Sequence, residues 1–183
     1  AFLDDVLQIR STANYAYFDL DYDIQIFDDP TEMKEALRKK NTNNKARMIA
    51  GYCYPWYSQK DKTQFDIFLE NGFKAQWNFT TDTFAYDEDS FEQVGCIHST
   101  QGLEFDYVGI IIGQDLRYEH GEIIADRTKR AKSDATIKGL NGNEELGRKI
   151  IKNTYKTLLS RGKYGCYVYC EDKALAQYLQ GRL

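Results

Sequence analysis

Four short apolar runs constrain what this chain can become: Arg47-Met-Ile-Ala-Gly51, Val94-Gly-Cys-Ile-His98, Tyr107-Val-Gly-Ile-Ile-Ile-Gly113 and Gly165-Cys-Tyr-Val-Tyr-Cys170. Each has strand length, and none alternates in the manner of a strand with one wet face. Near-continuous apolar runs belong to strands buried on both faces, as in a parallel sheet covered by helices. A fifth segment, Asp23-Ile-Gln-Ile-Phe27, does alternate. Helical patterns lie between these strands. Asp29-Pro-Thr-Glu32 supplies an N-cap, a proline at the first helical position and a capping-box Glu, ahead of Met33, Ala36 and Leu37. Asn141 or Asn143 opens a longer helix with Glu144 and Glu145 in its first turn. In that helix Leu146, Ile150, Ile151, Tyr155, Leu158 and Leu159 recur at helical spacing and predict one buried face, with Arg148, Lys149, Lys152 and Lys156 away from it. Arg161-Gly162 ends the helix, and Asp172 caps a final one through Leu175, Tyr178 and Leu179. Leu116 to Ala125, with turn chemistry at Glu119-His-Gly-Glu122, predicts a β-hairpin insertion. The expected fold class is α/β, a mainly parallel sheet flanked by helices.

No linker, repeat or low-complexity tract divides the 183 residues, so one domain over residues 1–183 is expected. No apolar run approaches the ~18 residues of a membrane helix, and no basic-then-apolar leader opens the chain. A cytoplasmic location and no membrane partner are the expectation. The four cysteines are too sparse for a disulfide scaffold. Cys166 and Cys170 lie about 13 Å apart along a strand, too far to share a metal. Cys96 and His98 share a face of another strand but lack a second ligand pair. No metal site is expected, and the cysteines read as buried, reduced thiols. The net charge of −4 conceals a basic segment: Arg127 to Lys163 holds eleven Lys/Arg against Asp134, Glu144 and Glu145. Such a segment is a phosphate-facing surface or a solvated helix face.

Ligands of parallel sheets bind beyond the carboxyl ends of the strands, and two loops stand out there. His98-Ser-Thr-Gln-Gly-Leu-Glu-Phe-Asp106 is a tight polar turn between two buried strands, able to offer backbone N–H groups to a phosphate. A plain helix cap by Ser99 or Thr100 explains the same residues without a ligand. Leu158-Leu-Ser-Arg161-Gly162 sets an arginine at a helix C-terminus, where the dipole alone favours a cation.

Taken in order, these loops resemble motifs V and VI of superfamily-one helicases, in their C-terminal RecA-like domain. The chain most closely resembles the Schlafen-group-3-like DNA/RNA helicase family of bacterial proteins. The resemblance rests on Gln101-Gly-Leu-Glu-Phe-Asp-Tyr-Val-Gly-Ile-Ile-Ile-Gly-Gln-Asp115-Leu116, on Asn153-Thr-Tyr-Lys-Thr-Leu-Leu-Ser-Arg-Gly162 and on Gly165-Cys-Tyr-Val-Tyr169. Leu7-Gln-Ile-Arg-Ser11 is similar to the core of motif IV, and Arg47 to Trp56 also fits the family. The resemblance implies a RecA-like domain with roles for particular residues. Arg10 and Arg161 would act as arginine fingers on the γ-phosphate of ATP, a task that suits a permanent planar cation. Glu104 would accept from the ribose, with Gln101 and Gly102 shaping the turn. His98, Ser99 and Thr100 would contact the backbone of a single nucleic-acid strand. Ser160 and Gly162 depart from the commoner Thr and Ala of motif VI, which puts the ending of the helix in doubt.

The sequence holds no Gly-x-x-x-x-Gly-Lys-Ser/Thr loop; Gly142-Asn-Glu-Glu-Leu-Gly147-Arg-Lys is a near miss inside a helical pattern. No acidic Walker B run follows a buried strand either. The resemblance therefore implies a shared site, with ATP and Mg2+ held mainly by an N-terminal RecA-like domain of a longer parent, and DNA or RNA as the other partner. Alone, the chain is expected neither to hold ATP tightly nor to hydrolyse it. Two other readings stay open: a RecA-like module that binds nucleic acid or protein without ATP, and a small-molecule enzyme using His98 with Asp106 or Glu104. The latter lacks a nucleophile. Tyr52, Tyr54, Trp56 and Tyr57 either stack bases or line an aromatic edge against the core.

Overall fold

The computed structural model describes residues 1–12, 21–79, 82–140 and 142–183. In chain order the elements are α1 (Phe2–Val6), β1 (Asp23–Phe27), α2 (Pro30–Lys40), β2 (Ala46–Ala50), β3 (Ile67–Phe68), β4 (Lys74–Ala75), β5 (Val94–Gly95), β6 (Phe105–Ile112), β7 (Leu116–Glu119), β8 (Glu122–Ala125), α3 (Glu144–Leu159), β9 (Gly162–Cys170) and α4 (Lys173–Gln180). Five strands form an all-parallel central sheet in the order β1-β9-β6-β2-β5. The fold is α/β, consistent with a RecA-like domain.

Why the central strands are apolar on both sides is clear from their register. Ile49, Ile110, Val168 and Ile26 stand level across four strands. They join a core with Ile151, Tyr155, Leu158, Leu175 and Leu179 from α3 and α4. One residue further along, Ala50, Ile111, Tyr169 and Phe27 face the other way, onto a core containing Met33 and Leu37 of α2 and the fully buried Trp77. Each buried Ile or Val removes enough apolar area to contribute ~1.5–3 kcal/mol. A polar residue on either face would forfeit that, so alternation is absent.

The local signals act largely as expected. Asp29 Oδ1 accepts from the Thr31 N–H at 2.7 Å, and Pro30 begins α2. Asp172 accepts from Leu175 N–H at the start of α4. His120 and Gly121 both take positive φ (52° and 87°) between β7 and β8, as a two-residue hairpin turn with matching twist requires. Asn143 caps α3 by accepting from Leu146 N–H; the alternative cap, Asn141, lies outside the described residues. The near miss at 142–149 runs from that cap into the first turns of α3.

Three expectations need correction. The buried face of α3 is formed by Gly147, Ile151, Thr154, Tyr155, Leu158 and Leu159, whereas Leu146 is 42% exposed. A side chain at Gly147 would meet Arg127 Cδ and Leu140 Cδ1 at 3.7 and 3.8 Å, so the basic loop crosses the helix there and Leu146 points beyond it. The strand expected over Val94–His98 stops at Gly95. Ser99 Oγ accepts the Cys96 N–H at 2.8 Å and ends the ladder, so Cys96 and His98 do not share a strand face. Finally, β9 begins at Gly162, three residues before the apolar run.

Candidate nucleotide and nucleic-acid site

The loop from Cys96 to Glu104 is a compact crossover from the carboxyl end of β5 back to the amino end of β6. Thr100 Oγ1 donates to the carbonyls of Cys96 and Ile97 (3.0 and 3.2 Å), and Ser99 Oγ donates to Cys96 O at 3.0 Å. Both side chains are buried, Ser99 at 5% and Thr100 at 0% exposure. Their hydroxyls hold the loop together. His98, Gln101, Gly102 and Glu104 are left on its exposed side. Gly102 sits at φ +76°, a left-handed turn that an L side chain rarely adopts, just before the chain straightens into β6.

Arg161 stands beside this turn. Phe105 pairs with Gly162 across β6 and β9, and the Phe105 N–H donates to Arg161 O at 3.4 Å. Glu104 and Arg161 therefore precede paired positions on neighbouring strands. They lie at the amino ends of those strands, which corrects the expectation that both loops lie beyond carboxyl ends. The two loops of the resemblance nevertheless meet at one edge of the sheet. Between Phe105 and Tyr107 the ladder shifts, with Lys163 and Tyr164 of β9 opposite Asp106 alone. Such a bulge re-aims the chain next to it. It also explains Gly162: a Cβ there would stand 2.0 Å from Gly165 O and 3.2 Å from Tyr22 Oη, which itself donates to Gly162 O at 3.1 Å. The departure from Ala at this position is a steric requirement of the bulge.

Arg161 is half-buried, and its Nε has no hydrogen-bond partner among the described residues although it is shielded from water. A buried donor without an acceptor carries a desolvation cost of about 1–3 kcal/mol.

Arg10 follows α1 in a turn that opens with Gln8 at φ +50°. Its Nε and Nη2 donate to Asp4 Oδ2 at 3.3 and 3.1 Å. Lys156, in the last turn of α3, donates to Asp4 Oδ1 at 2.6 Å. The Lys156 ammonium holds the Asp4 carboxyl below its ordinary value; burial opposes this, and Arg10 adds to the lowering. Arg10 and Arg161 are thus both attached to the C-terminal part of α3, one through side chains and one through the backbone. Neither Asp4 nor Lys156 carries a spacing signal in the sequence that marks this role.

His98 lies at the other end of the loop. Its ring meets Tyr52 edge-on at 5.6 Å, and Tyr52 in turn meets Trp77 edge-on at 4.7 Å. Tyr52, Tyr54 and Trp56 pack into the core on the α2 side, while Tyr57 is 49% exposed. The cluster is mainly an aromatic edge against the core. Nucleotide candidates at the amino edge and the nucleic-acid candidate His98 are thereby separated along one loop. Among the described residues no group of three His, Cys, Asp or Glu is placed to hold a metal. No helix among them is long and apolar enough to cross a membrane.

A family model described as Schlafen group 3, DNA/RNA helicase domain, matches residues 1–172. The chain belongs to that family. It is also 29% identical over 171 residues to an uncharacterized protein of Saccharomyces cerevisiae, a match covering 86% of this chain and 36% of the yeast protein. The chain thus spans about a third of the length of that relative. No solved structure matches it significantly. Membership in the Schlafen group 3 helicase family makes this a helicase-like, nucleic-acid-related module.

Proposed function

We propose that this module is the C-terminal RecA-like domain of an ATP-dependent DNA or RNA helicase or translocase. It acts in the cytoplasm with an N-terminal RecA-like domain that holds ATP and Mg2+. Arg161 and Arg10 are the arginine fingers. Charge grows on the transferred phosphoryl group during hydrolysis, and fixed planar cations stabilise it where they stand. Glu104 accepts from the ribose, on the turn shaped by Gln101 and Gly102. His98 and the loop braced by Ser99 and Thr100 meet a single nucleic-acid strand.

One observation supports this reading above the others: the Nε of Arg161, shielded and without a partner among the described residues, stands directly before the strand that pairs with the one Glu104 precedes. In the full-length protein, Arg161→Ala lowers ATP turnover by ~10^3-fold or more while nucleotide binding is retained. Unchanged turnover would reject the finger role. Salt-sensitive binding of labelled single strands, weakened by His98→Ala, tests the nucleic-acid side.

A further inference from the structure

Asp4 holds an unusual position for a carboxylate so near a chain surface. Its side chain is 3% exposed, yet the Arg10 side chain it binds is 71% exposed. A pair of two exposed ions contributes little, because both partners wander and water screens them. Here one partner is fixed. Asp4 Oδ1 is taken by Lys156 at 2.6 Å, and the Asp4 carbonyl accepts the Ile9 and Arg10 N–H groups at 2.8 and 3.3 Å. The turn that carries Arg10 is itself pinned. Lys152 donates to Gln8 O at 3.0 Å, and the Gln8 side chain donates to Gly121 O (3.1 Å) and accepts from Ile123 N–H (2.8 Å) on the hairpin. Tyr178 Oη donates to Val6 O at 2.9 Å. Arg10 is therefore gripped along its Nε–Nη2 edge by a buried carboxylate, and its Nη1 has no partner among the described residues.

We infer that Asp4 is a positioning residue: it holds Arg10 in one orientation and, through Lys156, fixes it to the end of the helix that delivers Arg161. This inference rests on the proposed function of the two arginines. Its physical basis is entropy. A free arginine loses up to about 2 kcal/mol of rotamer freedom when it is ordered. A side chain already held loses little of it when it meets an anion. Lys156, on the same carboxylate, keeps Asp4 ionised and ties the two arginines to one rigid element.

The test is a double-mutant cycle on ATP turnover by the full-length protein. Asp4→Asn keeps the shape and removes the charge. We expect kcat to fall ~10-fold with KM for ATP nearly unchanged, and D4N with R10A to be no slower than R10A alone. A purely structural role would lower the melting temperature without that non-additivity. Asp4→Glu, which keeps the charge one methylene away, should recover part of the loss. Should D4N fail to fold, D4E with and without R10A closes the same cycle. Wild-type turnover in D4N, or losses that multiply with R10A, overturns the inference while leaving the fingers standing. Wild-type turnover in R10A overturns the finger reading of Arg10 and the inference with it.

Discussion

The two ends of the central sheet treat their arginines in opposite ways. Beyond the carboxyl end of β6, Arg130 is almost fully buried between two buried carboxylates. Its Nε donates to Asp134 Oδ2 at 2.7 Å and its Nη1 to Asp115 Oδ2 at 3.1 Å, while Asp115 also accepts from Tyr155 Oη at 2.5 Å. The loop from Arg127 to Leu140 is docked by this network, and the Ala131 N–H donates to Tyr52 O at 2.6 Å. At the amino end, Arg161 keeps a shielded nitrogen without an acceptor among the described residues, and Arg10 is mostly in water. One end is closed by a buried ion network; at the other, Arg10 is exposed and Arg161 half-buried. The basic segment from Arg127 to Lys163 is therefore not one surface. Arg127 pairs with Glu144, Lys149 with Glu145 and Lys156 with Asp4, and Arg130 is consumed internally.

The largest effect should come from breaking the closed end. Arg130→Met leaves Asp115 and Asp134 buried without their cation, and loss of one partner from such a network costs about 3–5 kcal/mol. A urea denaturation midpoint measures it. A loss under ~1 kcal/mol would mean that the network is solvated and the contrast between the ends false. Next comes the bulge. Gly162→Ala, which would restore the commoner family residue, sets a methyl against the Gly165 carbonyl, a backbone atom that cannot turn aside. About 3 kcal/mol of destabilisation is expected from overpacking of this kind. Gly102→Ala is a useful foil: nothing lies within 4 Å of its Cβ position, so only the positive φ opposes it. That costs ~1 kcal/mol, and an equal loss at both glycines would remove the steric account of Gly162.

Legibility in the sequence followed the range of the interaction. Short-range chemistry was readable: the caps at Asp29 and Asp172, Asn143 as one of two candidate caps, the hairpin turn at His120-Gly121, and the two-sided burial of Tyr107 to Gly113. Contacts between distant segments were not. Arg47 opens the apolar run Arg47 to Gly51. It is fully buried, donating to the carbonyls of Phe84 and Asp87 and to Ser90 Oγ, partners that no local pattern announces. Burial lowers its basicity, although it remains charged. The same holds at the site. Motif order brought Gln101, Gly102, Glu104 and Arg161 to attention together, and the structure sets them at one edge. The side-chain directions within the loop needed coordinates: Ser99 and Thr100 turn inward, while His98 turns outward.

The tie between Asp4 and its cations gives a pH-dependent effect. The folded-state carboxyl is held below its unfolded value, so its contribution to stability is present above the unfolded value, near pH 4, and is lost as pH falls through the folded one. Wild type should exceed D4N in stability at neutral pH, and the gap should narrow as acid is added below about pH 4. A gap constant from pH 7 to pH 3 would place the ion pairs in solvent rather than against a buried carboxylate.

The smallest expected change in stability discriminates best between the two ends. Among the described residues, Arg161→Ala deletes a cation that has no carboxylate partner and a shielded donor that has no acceptor. Removing an unsatisfied donor relieves a cost, and this offsets the packing lost with the aliphatic stem. Unfolding free energy should shift by no more than ~0.5 kcal/mol, as for a substitution outside the structural network. The same variant is expected to lose ATP turnover in the full-length protein. A loss of several kcal/mol would instead make Arg161 a staple like Arg130, and the open end would then be as closed as the other.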